Sequence, residues 1–304
     1  VAPVLVSQSI SRKTNNALGI GIMLLGMSLF AAVDVQAKYL THSMHPIQVT
    51  FFRQLGLLVG VMFLLTTQGT SILKTHNLKL QITRGVLAAA SATLFIFAIA
   101  YVPLADAVAV SFAAPFMVTI LGAWILKEKV GIRRWAAVSV GFLGMLIVVR
   151  PGMGVVHPAA MLILVAASCF ALRQIVSRFI SGTDRIRTTV CYTAIVATAI
   201  LVVPVLLVWE MPQTNLEIGL MISMALMAGI AETLVIKALE IAESVALAPV
   251  HYSLLIWGVM YGYLVFGQLP DQWTWIGALI IVATGLYSIH REWVLSKANR
   301  QRSQ

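Results

Sequence analysis

Among the ionisable side chains within apolar runs of the chain, Asp34, Arg53, Arg173, Glu232 and His251 are the candidates for function. A charge in a low-dielectric segment is costly unless it is paired or has work to do, and these residue types suggest three kinds of work. An acid and a guanidinium can pair to lock or gate two helices. A guanidinium can grip a carboxylate or phosphate with two parallel hydrogen bonds. A histidine beside an acid can carry a proton near neutral pH. A second group is aromatic or proline: Phe95, Phe112, Pro115, Phe116, Pro249, Tyr252 and Trp257. Proline frees a carbonyl and bends a helix, and rings offer flat walls to a small molecule, so these residues are the candidates for a substrate cavity.

The elements that must carry them follow from composition. With 60% hydrophobic and 11% charged residues, and a mean hydropathy of +0.92, the 304-residue chain lies far outside the range of water-soluble domains. Its apolar runs suit helices at about 20 residues per bilayer crossing and lack the alternation of barrel strands. Hydropathy predicts ten spans, near 17–40, 46–66, 80–101, 105–126, 133–149, 158–180, 188–209, 217–239, 245–266 and 273–290. An even number of crossings puts both ends on one side. Arg12, Lys13, Lys74, Lys79, Arg84, Lys127, Lys129, Arg133, Arg134, Arg178, Arg185, Arg187, Lys237, Arg291, Lys297, Arg300 and Arg302 all fall on that side, against Lys38 and Arg150 on the other. By the positive-inside rule both termini are expected in the cytoplasm and the chain in a bacterial inner membrane.

The formal charge of +10 is thus spent on topology; no basic stripe interleaved with aromatics points to nucleic acid. Cys169 and Cys191 lie in apolar runs without metal-ligand spacing and read as packing residues, so no metal and no cofactor are expected. The first apolar run has no cleavage-site pattern after it and reads as a retained helix.

Depth pairs the charges. At 1.5 Å per residue, Asp34 lies about 9 Å and Arg53 about 10 Å below the outer ends of the first two spans, while Arg173 and Glu232 lie roughly 9 Å above the cytoplasmic ends of the sixth and eighth. An outer pair and an inner pair are expected, working either as moving gates or as static locks, or else lending Arg53 or Arg173 to an anionic cargo group. His251 lies at a depth similar to Glu232 and is either a proton carrier with it or a packed core histidine. Asp106 opens the fourth span and reads as a helix-terminal acid.

The chain also repeats itself. Ser28-Leu29-Phe30-Ala31-Ala32 returns 140 residues on as Ser168-Cys169-Phe170-Ala171-Leu172, and Glu128, Trp135 and Ala137 return as Gln268, Trp275 and Gly277. Five spans per repeat is an odd number, so the halves insert with opposite orientation, the signature of secondary transporters that rock about a midplane site. The organisation expected is a tail at 1–16, repeats at 17–150 and 151–290, and a basic tail at 291–304.

Several segments resemble the drug/metabolite transporter superfamily, and within it the EamA-type branch: Ala113-Ala114-Pro115-Phe116, Leu126-Lys127-Glu128-Lys129-Val130, Gly141-Phe142-Leu143-Gly144-Met145 through Arg150-Pro151-Gly152, Ala248-Pro249-Val250-His251-Tyr252, and Phe266-Gly267-Gln268-Leu269-Pro270. Gln268 departs from a pattern that often carries an acid, as at Glu128. The resemblance implies an all-α membrane protein of ten helices, in two inverted repeats around a cavity lined by the first, third, fourth, sixth, eighth and ninth. It implies a small organic metabolite as cargo; related members handle amino acids, riboflavin, S-adenosylmethionine, metallophores and quaternary amines.

Other classes fit the residues less well. No His-Glu-x-x-His or Gly-x-Ser-x-Gly motif marks an intramembrane enzyme, no charge ring or carbonyl filter marks a channel, and no Gly-x-x-x-x-Gly-Lys loop supplies ATP hydrolysis. Movement is then facilitated diffusion, exchange or proton coupling, with a zwitterionic or amphipathic cargo because acids and guanidiniums stand beside aromatics. A broad-range exporter and a non-transporting scaffold are the alternatives. Small residues at 88–93 and at Gly141, Gly144, Gly277 and Gly285 allow close helix packing, within a monomer or across a homodimer.

Overall fold

A bilayer offers the backbone no water, so each crossing segment must satisfy its own N–H and C=O groups, which a helix does. The computed structural model describes residues 15–127, 131–150, 158–180, 183–242 and 247–302; the expectations on Arg12, Lys13, Glu128, Lys129, Val130, Pro151 and Gly152 lie outside these residues. The helices are α1 (Asn16–Leu40), α2 (Pro46–Gln68), α3 (Leu78–Ile99), α4 (Leu104–Ser111), α5 (Ala114–Ile125), α6 (Ile132–Val149), α7 (Ala160–Ile180), α8 (Ile186–Leu207), α9 (Asn215–Ile241), α10 (Ser253–Phe266) and α11 (Gln272–Arg302). Single 3-10 turns occupy Thr70–Leu73 and Ala248–Tyr252.

Among the described residues, eight segments are long and apolar enough to cross a membrane, including the α4–α5 pair and Pro249–Phe266; shorter apolar stretches at Trp135–Val149 and Gln272–Tyr287 bring the number to ten. This is the all-α, ten-span architecture expected. The fourth span differs from a single kinked helix: it breaks between Ser111 and Ala114, and Pro115 falls in the first turn of α5, where its missing N–H costs nothing.

Neighbour relations repeat across the two halves. α1 packs on α9 as α7 packs on α3; α2 packs on α9 as α8 packs on α3; α1 packs on α10 as α7 packs on α5. The contacts α2 with α8 and α6 with α11 join each element to its own counterpart. Exchanging the halves therefore leaves the main packing relations unchanged, as a pseudo-two-fold requires. Close approach at two crossings depends on the absence of a side chain. A Cβ on Gly229 of α9 would stand 2.7 Å from the carbonyl oxygen of Gly56 on α2, and one on Gly277 of α11 would stand 2.6 Å from that of Gly144 on α6.

Polar ties close both ends of the bundle. On the side where α1 begins, Asp184 accepts from the Thr75 hydroxyl, from Gln81 Nε2 at 2.8 Å and from the His76 backbone at 3.1 Å, and Arg187 holds Glu240 with two bonds of 2.8 and 2.9 Å. Partial burial of the Asp184 carboxylate opposes its charge, but the three donors outweigh that and hold it below the usual carboxylate range. On the far side, Gln48 exchanges two bonds of 2.7 and 2.8 Å with the Glu210 backbone, and Arg150 pairs with Asp271.

Candidate functional site

Asp34 and Arg53 from the first half, and Arg173 and Glu232 from the second, stand within the bundle. Asp34 sits six residues before the end of α1 and Arg53 seven residues into α2, depths of about 9 and 10 Å from the far side. Asp34 Oδ1 approaches Arg53 Nη2 to 3.8 Å, with side chains 7% and 19% exposed. That is an ion pair but not a hydrogen bond; Asp34 Oδ1 and Arg53 Nε are buried without a hydrogen-bond partner. The Arg53 guanidinium lies 6.0 Å from the centre of the Phe30 ring.

Arg173 sits seven residues before the end of α7, about 10 Å from the other side. Its guanidinium lies 4.6 Å from the Phe170 ring centre, and its Nε is likewise buried and unpartnered. The charges acting on it are those of Glu232 and Arg53. Glu232, half-buried on α9, is thus an electrostatic neighbour of Arg173, and no ion pair within 4.0 Å joins them among the described residues. Arg173 thus senses both Glu232 and Arg53, which links the outer and inner groups electrostatically into one set of charges.

Sequence reasoning missed a member of it. Arg84 counts among the loop charges by hydropathy, yet it sits six residues inside α3, about 9 Å deep. Its Nε donates to Ser177 Oγ at 2.7 Å, its Nη1 donates to the Thr193 hydroxyl, and the charges of Arg173 and Glu232 reach it. The available signal was its position within the third apolar run. Lys38, assigned to the outer loops, is also buried, donating to the carbonyls of Ile99 and Val102 and lying 5.5 Å from the Phe266 ring centre; it caps the C-terminal end of α3. Asp106 stands in the first turn of α4, three residues after the N-cap Pro103, beside Thr274 and within electrostatic reach of Asp271, Arg150 and Lys38.

The two breaks in the spans face each other. Phe112, at the α4–α5 break, stacks on Tyr252, at the end of the turn that holds Pro249, with ring centres 4.9 Å apart and planes at 24°. Phe116 is buried, its ring occupying the space over Gly141, as the Tyr252 hydroxyl occupies the space over Gly285. Phe95 is partly buried against the main apolar core. Trp257 stacks on Tyr261 at 6.0 Å, and Tyr261 shares a 2.7 Å hydrogen bond with Ser28 of α1. Trp257 Nε1 and Ser253 Oγ are buried without partners. His251 is exposed on the 3-10 turn. No group of three metal-ligating side chains occurs among the described residues.

A separate apolar groove of about 690 Å³ runs between α2 and α9, lined by Phe52, Gly56, Phe63, Met221, Gly229 and Leu234 among others. Its walls include the exposed Phe63, Ile222 and Ile230, so it opens on the outer surface of the bundle.

Residues 17–150 match the model of the EamA-like transporter family. The chain is 28% identical over 276 residues to the S-adenosylmethionine uptake transporter of Rickettsia bellii, covering 91% of this chain and 94% of that protein. It is 30% identical over 232 residues to the riboflavin transporter of Vibrio cholerae, covering 76% and 77%, and 24% identical to the pseudopaline exporter CntI of Pseudomonas aeruginosa, covering 87% and 93%. One solved crystal structure shares the fold, with a TM-score of 0.60 at 15% identity over 89% of this chain and 94% of that one.

Proposed function

The chain belongs to the EamA-like transporter family of the drug/metabolite transporters, and from that premise we propose that repeats 17–150 and 151–290 rock about the charged centre to give alternating access. It is a secondary transporter of a small organic metabolite. The observation that supports the mechanism is the buried Asp34–Arg53 pair of the first repeat together with Arg173 of the second, which senses both Arg53 and Glu232. These four with His251 are the gate or coupling groups, and a proton or a counter-substrate supplies the drive. Phe95, Phe112, Pro115, Phe116, Pro249, Tyr252 and Trp257 wall the path. A cargo with both charged and flat apolar parts, zwitterionic or amphipathic, suits this lining, and the S-adenosylmethionine, riboflavin and pseudopaline named for relatives support a polar organic molecule.

The loop-charge asymmetry supports cytoplasmic termini and the inner membrane of a bacterium, with tails 1–16 and 291–304 inside. The absence of hydrolytic motifs supports a carrier without catalysis. Lipid covers the apolar α2–α9 groove, and the functional unit is a monomer or homodimer. The test is thermal stability of the detergent-solubilised protein against amino acids, flavins, S-adenosylmethionine, nucleotides and quaternary amines, followed by flux in liposomes. A dose-dependent rise in melting temperature with saturable flux of the same compound supports the reading; neither, for any class, overturns it.

A further inference from the structure

At the far end of the bundle one buried cation joins the ends of several helices. α1, α3 and α10 all run toward that end and stop there, at Leu40, Ile99 and Phe266, so their unspent carbonyls and the negative ends of their dipoles gather on one side. Lys38, in the last turn of α1 and only 5% exposed, reaches into this place. Its Nζ donates to the Ile99 carbonyl at 3.1 Å and to the Val102 carbonyl in the turn before α4, and lies 5.5 Å from the centre of the Phe266 ring at the end of α10. No acid stands within 4.0 Å of it among the described residues, and Asp106 acts on it from farther away. Helix-end carbonyls therefore hold this ammonium, with no tight ion pair.

The four segments that meet at Lys38 are α1, α3, α4 and α10, four of the spans that the family resemblance places around the cavity. The hydrogen bonds of Ser28 and Gln36 tie α1 to α10 and α9, whereas those of Lys38 tie it to the α3–α4 turn. Asp34 and Arg53 join α1 to its neighbour α2, a turn deeper in the bundle. Lys38 also stands two residues before the end of α1, about 3 Å from it along the axis, so a flexible four-carbon stem can return its ammonium to water without crossing apolar core. Both a bound and a released ammonium are then satisfied, which is what a two-state element requires. We propose that Lys38 is the latch that shuts the far end of the transport path, and that this end opens when water replaces the ammonium on the Ile99 and Val102 carbonyls and α1, with α10 beside it, parts from the α3–α4 turn. This rests on the alternating-access reading above and adds to it the group that holds one end closed.

The test is made on the detergent-solubilised full chain carrying Cys169→Ala and Cys191→Ala. Spin labels at His42→Cys and Tyr101→Cys, both exposed positions at the far end, report the separation of α1 from the α3–α4 turn. In Lys38→Met the two carbonyls stay buried without a donor while the end is shut, so the ratio of long to short distances is expected to rise at least about 10-fold. In a second preparation Phe112→Cys, about 12 Å below the start of α4, is expected to react with a water-soluble thiol reagent at least about 10-fold faster when Lys38→Met is added. If Lys38→Met does not fold, Lys38→Gln, which loses the charge and keeps an amide donor, carries both measurements with a smaller shift in the same direction. Unchanged distances, or longer distances with unchanged reaction at position 112, mean that Lys38 only fastens a helix end, and overturn the latch. Neither measurement needs cargo, so flux in liposomes is judged separately. Saturable flux with an unmoved far end overturns the latch and leaves the carrier standing; an opened far end with no flux of any compound removes the carrier and leaves Lys38 as a latch on the cavity.

Discussion

Replacing Asp34 by Asn removes the charge that stands 3.8 Å from Arg53 and keeps the shape of the side chain. At that separation, with an effective permittivity of about 20, the lost attraction is about 4 kcal/mol. In the intact pair, desolvation of both ions offsets much of this; in Asp34→Asn the guanidinium stays desolvated with its partner gone, and the expected loss is about 3–5 kcal/mol. The charge of Arg53 then acts on Arg173 with less compensation. Arg53→Gln is expected to cost less, since a lone carboxyl can take up a proton while a guanidinium cannot give one up. The double variant should resemble Arg53→Gln alone, giving a coupling of at least about 2 kcal/mol. Equilibrium unfolding in mixed detergent micelles, followed by helical circular dichroism, measures all four corners. Single effects that add to within about 0.5 kcal/mol would refute the reasoning, because two groups that sense each other across the bundle cannot be independent.

Two further outcomes follow from the packing and the loops. Gly229→Ala forces a methyl against the Gly56 carbonyl 2.7 Å away, so α2 and α9 must part, and the melting curve should report a loss of about 1–3 kcal/mol. Asp184 is held below its ordinary value of 3.8 by its donors, so its contribution to stability is complete above that value and disappears as pH falls through the lower folded-state value. Asp184→Asn should therefore melt lower than the wild type at neutral pH, with the gap closing in acid below about pH 4; a gap that stays constant down to pH 2.5 would show that the carboxylate charge contributes nothing.

Much of the architecture was legible because membrane insertion is governed by local sums. Each span is a run of apolar residues, and the break near Pro115 and the turn at Pro249 are set by residues whose backbone chemistry is fixed wherever they stand. The near-identity of Asp34 and Arg53 in depth was likewise a matter of counting residues along two antiparallel helices. Hydropathy misassigned Arg84 and Lys38, however. Window averages treat a cation near the end of a span as a loop charge, whereas Arg84 finds hydroxyls on α7 and α8 and Lys38 finds the carbonyls that end α3.

By itself, then, the chain determined the class of structure, the number of spans and the repeat, since all three depend on composition and spacing along one strand of polymer. Only the tertiary structure decided which charges share a space. Helix rotation and crossing, set by contacts such as Gly229 on Gly56, bring Arg53 beside Asp34. They stack Phe112 on Tyr252 and commit Arg84 to α7 and α8. Those facings arise from packing between segments more than a hundred residues apart, and no local sum along the sequence contains them.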